Sequence, residues 1–374
     1  MISMYDILRL LHRPAGRPPV LSVFLDMSVN SDNKRTYRIF LDQRRAQYVE
    51  LDSDRPNHHR EPVGEAFARV DRWLDEQFDP VNKGAAVYVE IGGDWFEGLQ
   101  FPVPVRNQTT IAEQPVIGPL AEITETHRRH GIIIVDREHL RLLTTELGLT
   151  MHEHQVSTAP YPTPHDVKAG GEASPAFQRY KAEEVRHFFK EFSLEVAEFV
   201  RRYRPDDLIV LGTEENVRSF VDFLPAQIRE MVAHTDHAPI HATAAELLER
   251  IAPFILEQRE RFETEAVRTL RDRAHHGHLA VRGFADTLRS LQEGRADSVV
   301  LARGWQRTGS RCTQCGFYLD TTELICPYCG GPLATGVDLV ESVIRVAEEQ
   351  DVRLYFVPPE SMMDSDGVGA LLRY

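Results

Sequence analysis

The sequence predicts a multidomain α/β fold on three observations. The chain has 374 residues, well above the roughly 100 to 200 of one ordinary domain. Strand-like apolar runs alternate with helix-spaced segments along nearly its whole length. All four cysteines fall between positions 312 and 329, a clustering that marks a local insert and not a disulfide framework. A composition of 42% hydrophobic and 27% charged residues is ordinary globular usage with enough apolar surface for separate cores. No run approaches the roughly 18 apolar residues of a membrane span, and Asp6 and Arg9 interrupt the opening segment as a signal-peptide core. A cytoplasmic protein with no membrane partner is expected. The formal charge of -14 argues against coating nucleic acid by bulk electrostatics, so any RNA contact has to be local.

Three domains are expected, over residues 1–125, 126–278 and 279–374. The first opens with a short helix and the strand VLSVFLD, Val20 to Asp26. A polar helix carrying Lys34, Arg35, Arg38, Arg44 and Arg45 follows, then a helix near Glu65 to Phe78 and the β runs GAAVYVEI and WFEGLQFPV. The proline-spaced segment Glu113 to Ile123 reads as a linker. The second domain begins with two β runs flanking a turn, HGIIIVDREHLRLLTTELG, and a third run MHEHQV, a small meander. Pro160, Pro162 and Pro164 then favour a stiff, extended backbone. Ser174 and Pro175 make a good N-cap and first-turn pair, and Phe177, Tyr180, Phe188, Phe192, Phe199 and Tyr203 keep helical spacing behind them. The strand DLIVLGT and further helices close this domain. In the third, helix GFADTLRSLQEG, strand DSVVLARG, helix DLVESVIRVAEEQ, strand VRLYFVP and the tail DGVGALLRY predict an α-β-α sandwich interrupted by an insert at 305–336.

That insert holds Cys312, Cys315, Cys326 and Cys329, two Cys-x-x-Cys knuckles ten residues apart, followed by Gly316 and Gly330. Four thiolates suit tetrahedral Zn²⁺, and a closed Cys₄ set leaves no open coordination position, so a structural zinc ribbon is expected.

Gly170 and Gly171 end the proline-stiffened arm, and such a projecting turn lets backbone approach another molecule where no Cβ would fit. Lys168 gives it a cation, His165 can add another, and Glu172 follows directly. The segment KAGGEASPAFQRYKAEEVRHFF resembles the catalytic-loop segment of the archaeal and eukaryotic peptide-chain release factors, with Phe177 and Arg179 at the family's spacing. The last domain's sequence order, with its four-cysteine insert, is similar too. The first 125 residues lack the codon-reading motif, so the resemblance is to a bacterial branch of that superfamily, with its release-factor, Pelota-like and Balon-like proteins.

What the resemblance implies is a tRNA-like elongated arrangement of three domains. It further implies entry into the ribosomal A site, contact with ribosomal RNA and P-site tRNA, a translational GTPase of elongation-factor type at the last domain, and action as a monomer. Gly170, Gly171 and Glu172 would stand at the catalytic position, with Lys168, His165 and Arg179 as RNA contacts. In the family a glutamine helps position water beside the peptidyl-tRNA ester. Glu172 replaces it; a carboxylate cannot donate a hydrogen bond when ionised and would sit among phosphates, although the backbone N–H remains an oxyanion donor. Ala176 stands where the family has an arginine. The expected function is A-site occupancy in ribosome rescue or hibernation with inefficient or absent hydrolysis; an active peptidyl-tRNA hydrolase or release factor, and a stand-alone RNA-binding protein, are the alternatives.

Lys34, Arg35 and Arg38 are the candidate RNA contacts of the first domain, since cations on a shared surface neutralise phosphates. His152 and His154 alternate on a strand, and His275, His276 and His278 sit on a polar helix end; both groups read as structural or solvated. No Walker lysine motif, Gly-x-Ser-x-Gly elbow or His-Glu-x-x-His pair occurs, which removes support from the corresponding hydrolases.

Overall fold

The computed structural model describes residues 4–14, 16–51, 60–147, 149–157, 175–277 and 279–374. The chain divides into two compact units, Met1–Thr126 together with Gln258–Tyr374, and His127–Glu257.

The first unit starts with α1 (Met4–Leu11), β1 (Val20–Asp26), α2 (Tyr37–Leu51), α3 (Arg60–Glu76), β2 (Gly84–Glu90), β3 (Phe96–Phe101), β4 (Gln108–Ala112) and α4 (Gly118–Thr126). The strands form an antiparallel sheet in the order β3-β2-β1-β4. β1 is central and buried on both faces, which is why its sequence is a continuous apolar run instead of an alternation. Leu21, Val23 and Leu25 point into a core with Leu41 of α2 and Phe67, Val70 and Trp73 of α3. The alternate residues Val20 and Phe24 are equally buried, and Phe24 meets Tyr88 edge-on with ring centroids 5.9 Å apart. Strand β4, QTTIA, has no apolar alternation to announce it; its existence depends on pairing with β1.

The second unit contains β5 (His130–Val135), β6 (His139–Glu146), β7 (Leu149–Ser157), α5 (Pro175–Tyr203), β8 (Asp207–Gly212), α6 (Glu214–Val221), α7 (Ala226–Arg229), β9 (Val232–Asp236) and the first half of α8 (Ala244–His275). Its sheet runs β7-β6-β5-β8-β9, with the antiparallel meander β5-β6-β7 on one side and the parallel strands β8 and β9 on the other. Period-two alternation divides the core between the faces. Ile133, Val135, Leu208 and Val210 pack under Phe188, Phe189, Phe192 and Val196 of α5, while Ile132, Ile134, Ile209 and Leu211 pack against Leu247 and Ile251 of α8. Thr213 caps α6, its side chain accepting the Asn216 N–H.

Helix α8 has 32 residues with Pro253 inside it, and its residues from Gln258 onward belong to the first unit. Its later turns put Ala266, Val267 and Leu270 into the core of the last sheet with Val300, Val357 and Met362. The chain continues as β10 (Ala280–Arg282), α9 (Phe284–Gln292), β11 (Ala296–Ala302), β12 (Thr308–Cys312), β13 (Tyr318–Leu319), β14 (Leu333–Asp338), α10 (Leu339–Glu349), β15 (Arg353–Val357) and β16 (Val368–Leu372). The sheet order β10-β16-β11-β15 makes the C-terminal tail a central strand, antiparallel to both neighbours, while β11 and β15 run parallel. α9 packs on β11 and β16 and α10 on β15. Strands β13-β12-β14 form a separate small sheet, the insert read from the cysteines.

The segment expected to be a linker is folded and tightly held. Val116 N–H donates to Ser22 Oγ at 3.1 Å, and Tyr88 Oη donates to the Val116 carbonyl at 2.9 Å. From α10, Glu341 accepts the N–H groups of Ile117 and Gly118 at 2.7 and 2.9 Å, while Arg345 donates to the Pro115 carbonyl at 2.5 Å. One carboxylate thus satisfies two backbone donors at the entry to α4, and the first 126 residues are tied to the last sandwich within one unit.

Burial raises Glu341 to about 7, outweighing the favourable influence of Arg345 and of the two N–H donors. The folded-state value lies above the unfolded one of about 4.5, so this group's stabilising contribution is complete below about pH 4.5 and is lost as pH rises through about 7. Glu341→Gln, permanently neutral, should lose a roughly constant amount from its missing second acceptor but flatten the fall in stability between pH 5 and 8, by about 2 to 3 kcal/mol. Urea melts at intervals of half a pH unit measure this; parallel curves for the two proteins would contradict it.

Candidate functional site

The best-formed chemical site is the cysteine cluster. Sγ atoms of Cys312, Cys315, Cys326 and Cys329 all lie within 4.8 Å of one another, with Cys312 and Cys329 at 3.5 Å and Cys315 and Cys326 at 3.8 Å. Four sulfurs bound to one Zn²⁺ at about 2.3 Å stand about 3.8 Å apart in a tetrahedron, so the residues fit that metal.

The two knuckles repeat one backbone pattern. Cys312 N–H donates to Phe317 O and Gly316 N–H donates back to Cys312 O; Cys326 N–H donates to Gly331 O and Gly330 N–H to Cys326 O, all between 2.8 and 3.0 Å. Each turn needs a residue at positive φ, supplied by Gly316 at +80° and Gly330 at +74°, where a Cβ would be strained. Amide groups also point at sulfur: Cys315 N–H reaches Cys312 Sγ and Gly331 N–H reaches Cys329 Sγ, both at 3.4 Å.

Charge shows what these thiols need. The Cys315 N–H and then the Gln314 N–H favour the Cys312 thiolate, holding that thiol down to about 6. Gly331 N–H acts in the same direction on Cys329, yet the adjacent Cys312 sulfur, loss of water and the other two thiols push it up to about 12. Ionising one sulfur therefore makes the next harder to ionise, and four thiolates this close require a cation among them. Buried Cys312 and Cys326 form the inner side with Leu333, while Cys315 and Cys329 are exposed.

The ribbon is fastened to the sandwich. Gln292 of α9 donates to the Tyr318 carbonyl at 3.0 Å and accepts the Tyr318 N–H at 2.7 Å. Arg307, at the start of the insert, grips Asp320 through two bonds of 2.9 Å and faces Asp366 of the sandwich at 3.7 Å. Neither anchor stands out in the sequence, because Gln292 and Tyr318 lie 26 residues apart and only the fold joins them.

Gly170, Gly171, Glu172, Lys168 and His165 lie outside the described residues; Arg179 lies within α5, which begins at Pro175.

The expected cationic helix of the first domain begins only at Tyr37, so Lys34 and Arg35 precede it. The Asn30 side chain causes this, accepting the N–H groups of Asp32 and Lys34 at 3.0 and 2.8 Å and holding a turn that delays the helix. Arg35 is spent on the carbonyls of Met27 and Pro80, Arg38 pairs with Asp75 at 2.5 Å and Arg45 pairs with Asp71. Lys34 is exposed. These cations and the cysteines are not brought into one site.

Comparison with known proteins agrees with the sequence resemblance. Residues 115–254 match the family model described as bacterial archaeo-eukaryotic release factor family 10. The peptide chain release factor subunit 1 of Thermococcus onnurineus (strain NA1) is 22% identical over 309 residues, covering 73% of this chain and 72% of that protein. Among solved structures, the crystal structure of the archaeal translation termination factor aRF1 aligns over 99% of this chain and 97% of its own, with 16% identity and a TM-score of 0.27. A model of ribosome-bound archaeal Pelota and ABCE1 aligns over 100% and 94%, with 12% identity and a TM-score of 0.42. The chain is release-factor-like, and no helix among its described residues is long and apolar enough to cross a membrane.

A reduced preparation should carry about one zinc per chain by elemental analysis. Cys312→Ser should lose most of it and lower the melting temperature, because structural zinc binding is coupled to folding. Full zinc retention by that variant would contradict the assignment.

Proposed function

We propose that this protein is a cytoplasmic, monomeric translation factor that occupies the ribosomal A site in rescue or hibernation, with little or no hydrolysis of peptidyl-tRNA. The observation that carries the reading is Gly170-Gly171-Glu172 just ahead of α5, in the part of the chain that matches the release-factor family model. The two glycines permit close backbone approach to the tRNA terminus or to ribosomal RNA. At the next position the family's glutamine can donate a hydrogen bond, and ionised Glu172 cannot. Bringing a carboxylate among phosphates opposes both tight docking of that side chain and stabilisation of a developing oxyanion.

Lys168 and His165 would offset phosphate charge beside the glycines, and Arg179 would do so from the first turns of α5. Lys34 is the best-placed cation of the first domain, whereas Arg35 and Arg38 would have to give up their present partners. Zinc would hold the ribbon rigid and take no part in chemistry. A translational GTPase of elongation-factor type is the partner proposed for the last domain. The net charge of -14 restricts RNA contact to local cationic surfaces and predicts weak binding to arbitrary RNA at physiological salt.

Co-sedimentation with purified bacterial ribosomes tests the reading. The protein should pellet with ribosomes whose A site is empty and be displaced when a tRNA fills that site. Gly171→Val should weaken pelleting about tenfold or more at unchanged zinc content. Pelleting indifferent to A-site tRNA would overturn the proposal.

A further inference from the structure

The middle unit carries a second cationic feature, at the opposite end of α5 from the glycines. Two short arginine-rich stretches far apart in sequence, His127-Arg128-Arg129-His130 and Arg201-Arg202-Tyr203-Arg204, meet where β5 begins and α5 ends. Arg129 donates to the Tyr203 carbonyl at 2.9 Å, and the backbones of Arg129 and Asp206 join through an N–H to carbonyl bond of 2.8 Å. Two flat rings lie among the cations: Arg202 stacks over Tyr203 at 5.3 Å, and His152 of β7 packs on the same ring at 4.8 Å.

The nearby acids cancel only part of this charge. Glu198 is taken by Arg201, Asp206 faces Arg128 at 4.0 Å, and Asp207 is buried against His130. Neither Arg202 nor Arg204 forms an ion pair with a described residue, and both are exposed. Complementing the C-terminal dipole of α5 would account for Arg201 and Arg202. It does not account for Arg128 and Arg129 on a different element; Arg204, at φ +47° with its N–H on the Val200 carbonyl at 2.9 Å, closes the helix end and turns the chain toward them.

We propose that Arg128, Arg129, Arg202 and Arg204, with Tyr203 and His152, form a surface on the middle unit that binds the phosphate backbone of RNA. Guanidinium forks match phosphate oxygens in pairs, and the exposed His152 ring, seated on half-buried Tyr203, offers a face to a sugar or base. In a chain of charge -14, a cationic group like this orients the molecule on a polyanion. The 29-residue α5 spans about 43 Å, so the glycine segment and the arginines would engage RNA at separate points. The proposal rests on the ribosome-binding reading only for which RNA is met in the cell.

The test is binding of a 20-base-pair RNA duplex to the full chain, titrated at several salt concentrations from about 50 mM upward. The comparison set is wild type, Arg202→Ala/Arg204→Ala, Arg202→Lys/Arg204→Lys, and a control Arg268→Ala/Arg273→Ala on α8. The alanine pair should weaken binding about tenfold or more at low salt and reduce the slope of log K against log salt by about two. The lysine pair should keep the slope, the control should match wild type, and zinc content should be unchanged throughout. No duplex binding by wild type at about 50 mM salt, or equal affinity and slope for the alanine pair, overturns this surface. A wild type that binds duplex but fails to pellet with ribosomes leaves this surface standing and removes the A-site reading.

Discussion

The packing of α5 across the five-stranded sheet is the constraint on which the middle unit depends. Phe189 and Phe192 are 1% and 0% exposed, with Phe188 and Phe199 close behind. Burying an aromatic side chain of this size stabilises the fold by roughly 1.5 to 3 kcal/mol. The ring spacing also fixes the helix rotation and register over Ile133, Leu208 and Val210. Once that is set, both helix ends are placed: α5 begins at Pro175, and Tyr203 delivers its neighbouring arginines beside the start of β5. The proposed functions at the two ends would both depend on a row of phenylalanines buried in the core.

A comparable logic holds the other unit together. Its two stretches of chain, at the beginning and the end of the sequence, are joined by α10, which contributes Leu339, Val343 and Ala347 to the buried interior and turns Glu341 and Arg345 toward residues 115–118. The strain of a largely buried carboxyl is accepted for two well-aligned backbone donors, a common arrangement where a helix N-terminus is held by another element. On the same sandwich, the ribbon's small sheet has little core of its own beyond Cys312, Cys326, Leu333 and Leu319. The Gln292 and Arg307 contacts, and the metal that the four cysteines are spaced to hold, would take the place of an apolar interior.

Legibility in the sequence follows how local each signal is. The knuckles were readable because ligand spacing and the following glycines are contained within a few residues, and β1, β2, β5, β8 and β15 because buried strands are short apolar runs between turn residues. Strands β4, β9 and β10 are not legible: QTTIA, VAHTD and AVR carry no periodicity and exist through their neighbours. α4 was hidden in a proline-spaced stretch that reads as a linker, and its start is held by α10, more than 200 residues away. Arg38 and Arg45 looked like a free cationic face because their acidic partners lie on α3. The arginines at the end of α5 give no signal in the sequence because neither stretch is notable until the fold brings the two together.

Glu172 of the Gly-Gly-Glu segment decides between a catalyst and an occupant of the A site, since similarity to release factors is compatible with both. The most direct measurement is the rate of nascent-peptide release from ribosomes holding peptidyl-tRNA in the P site with an empty A site. Wild type, Glu172→Gln and Gly171→Ala are compared at confirmed ribosome occupancy. The account predicts binding by wild type with release at the uncatalysed rate. Rapid release by wild type that collapses in Gly171→Ala would contradict it and establish a hydrolase for which the glutamine side chain is dispensable.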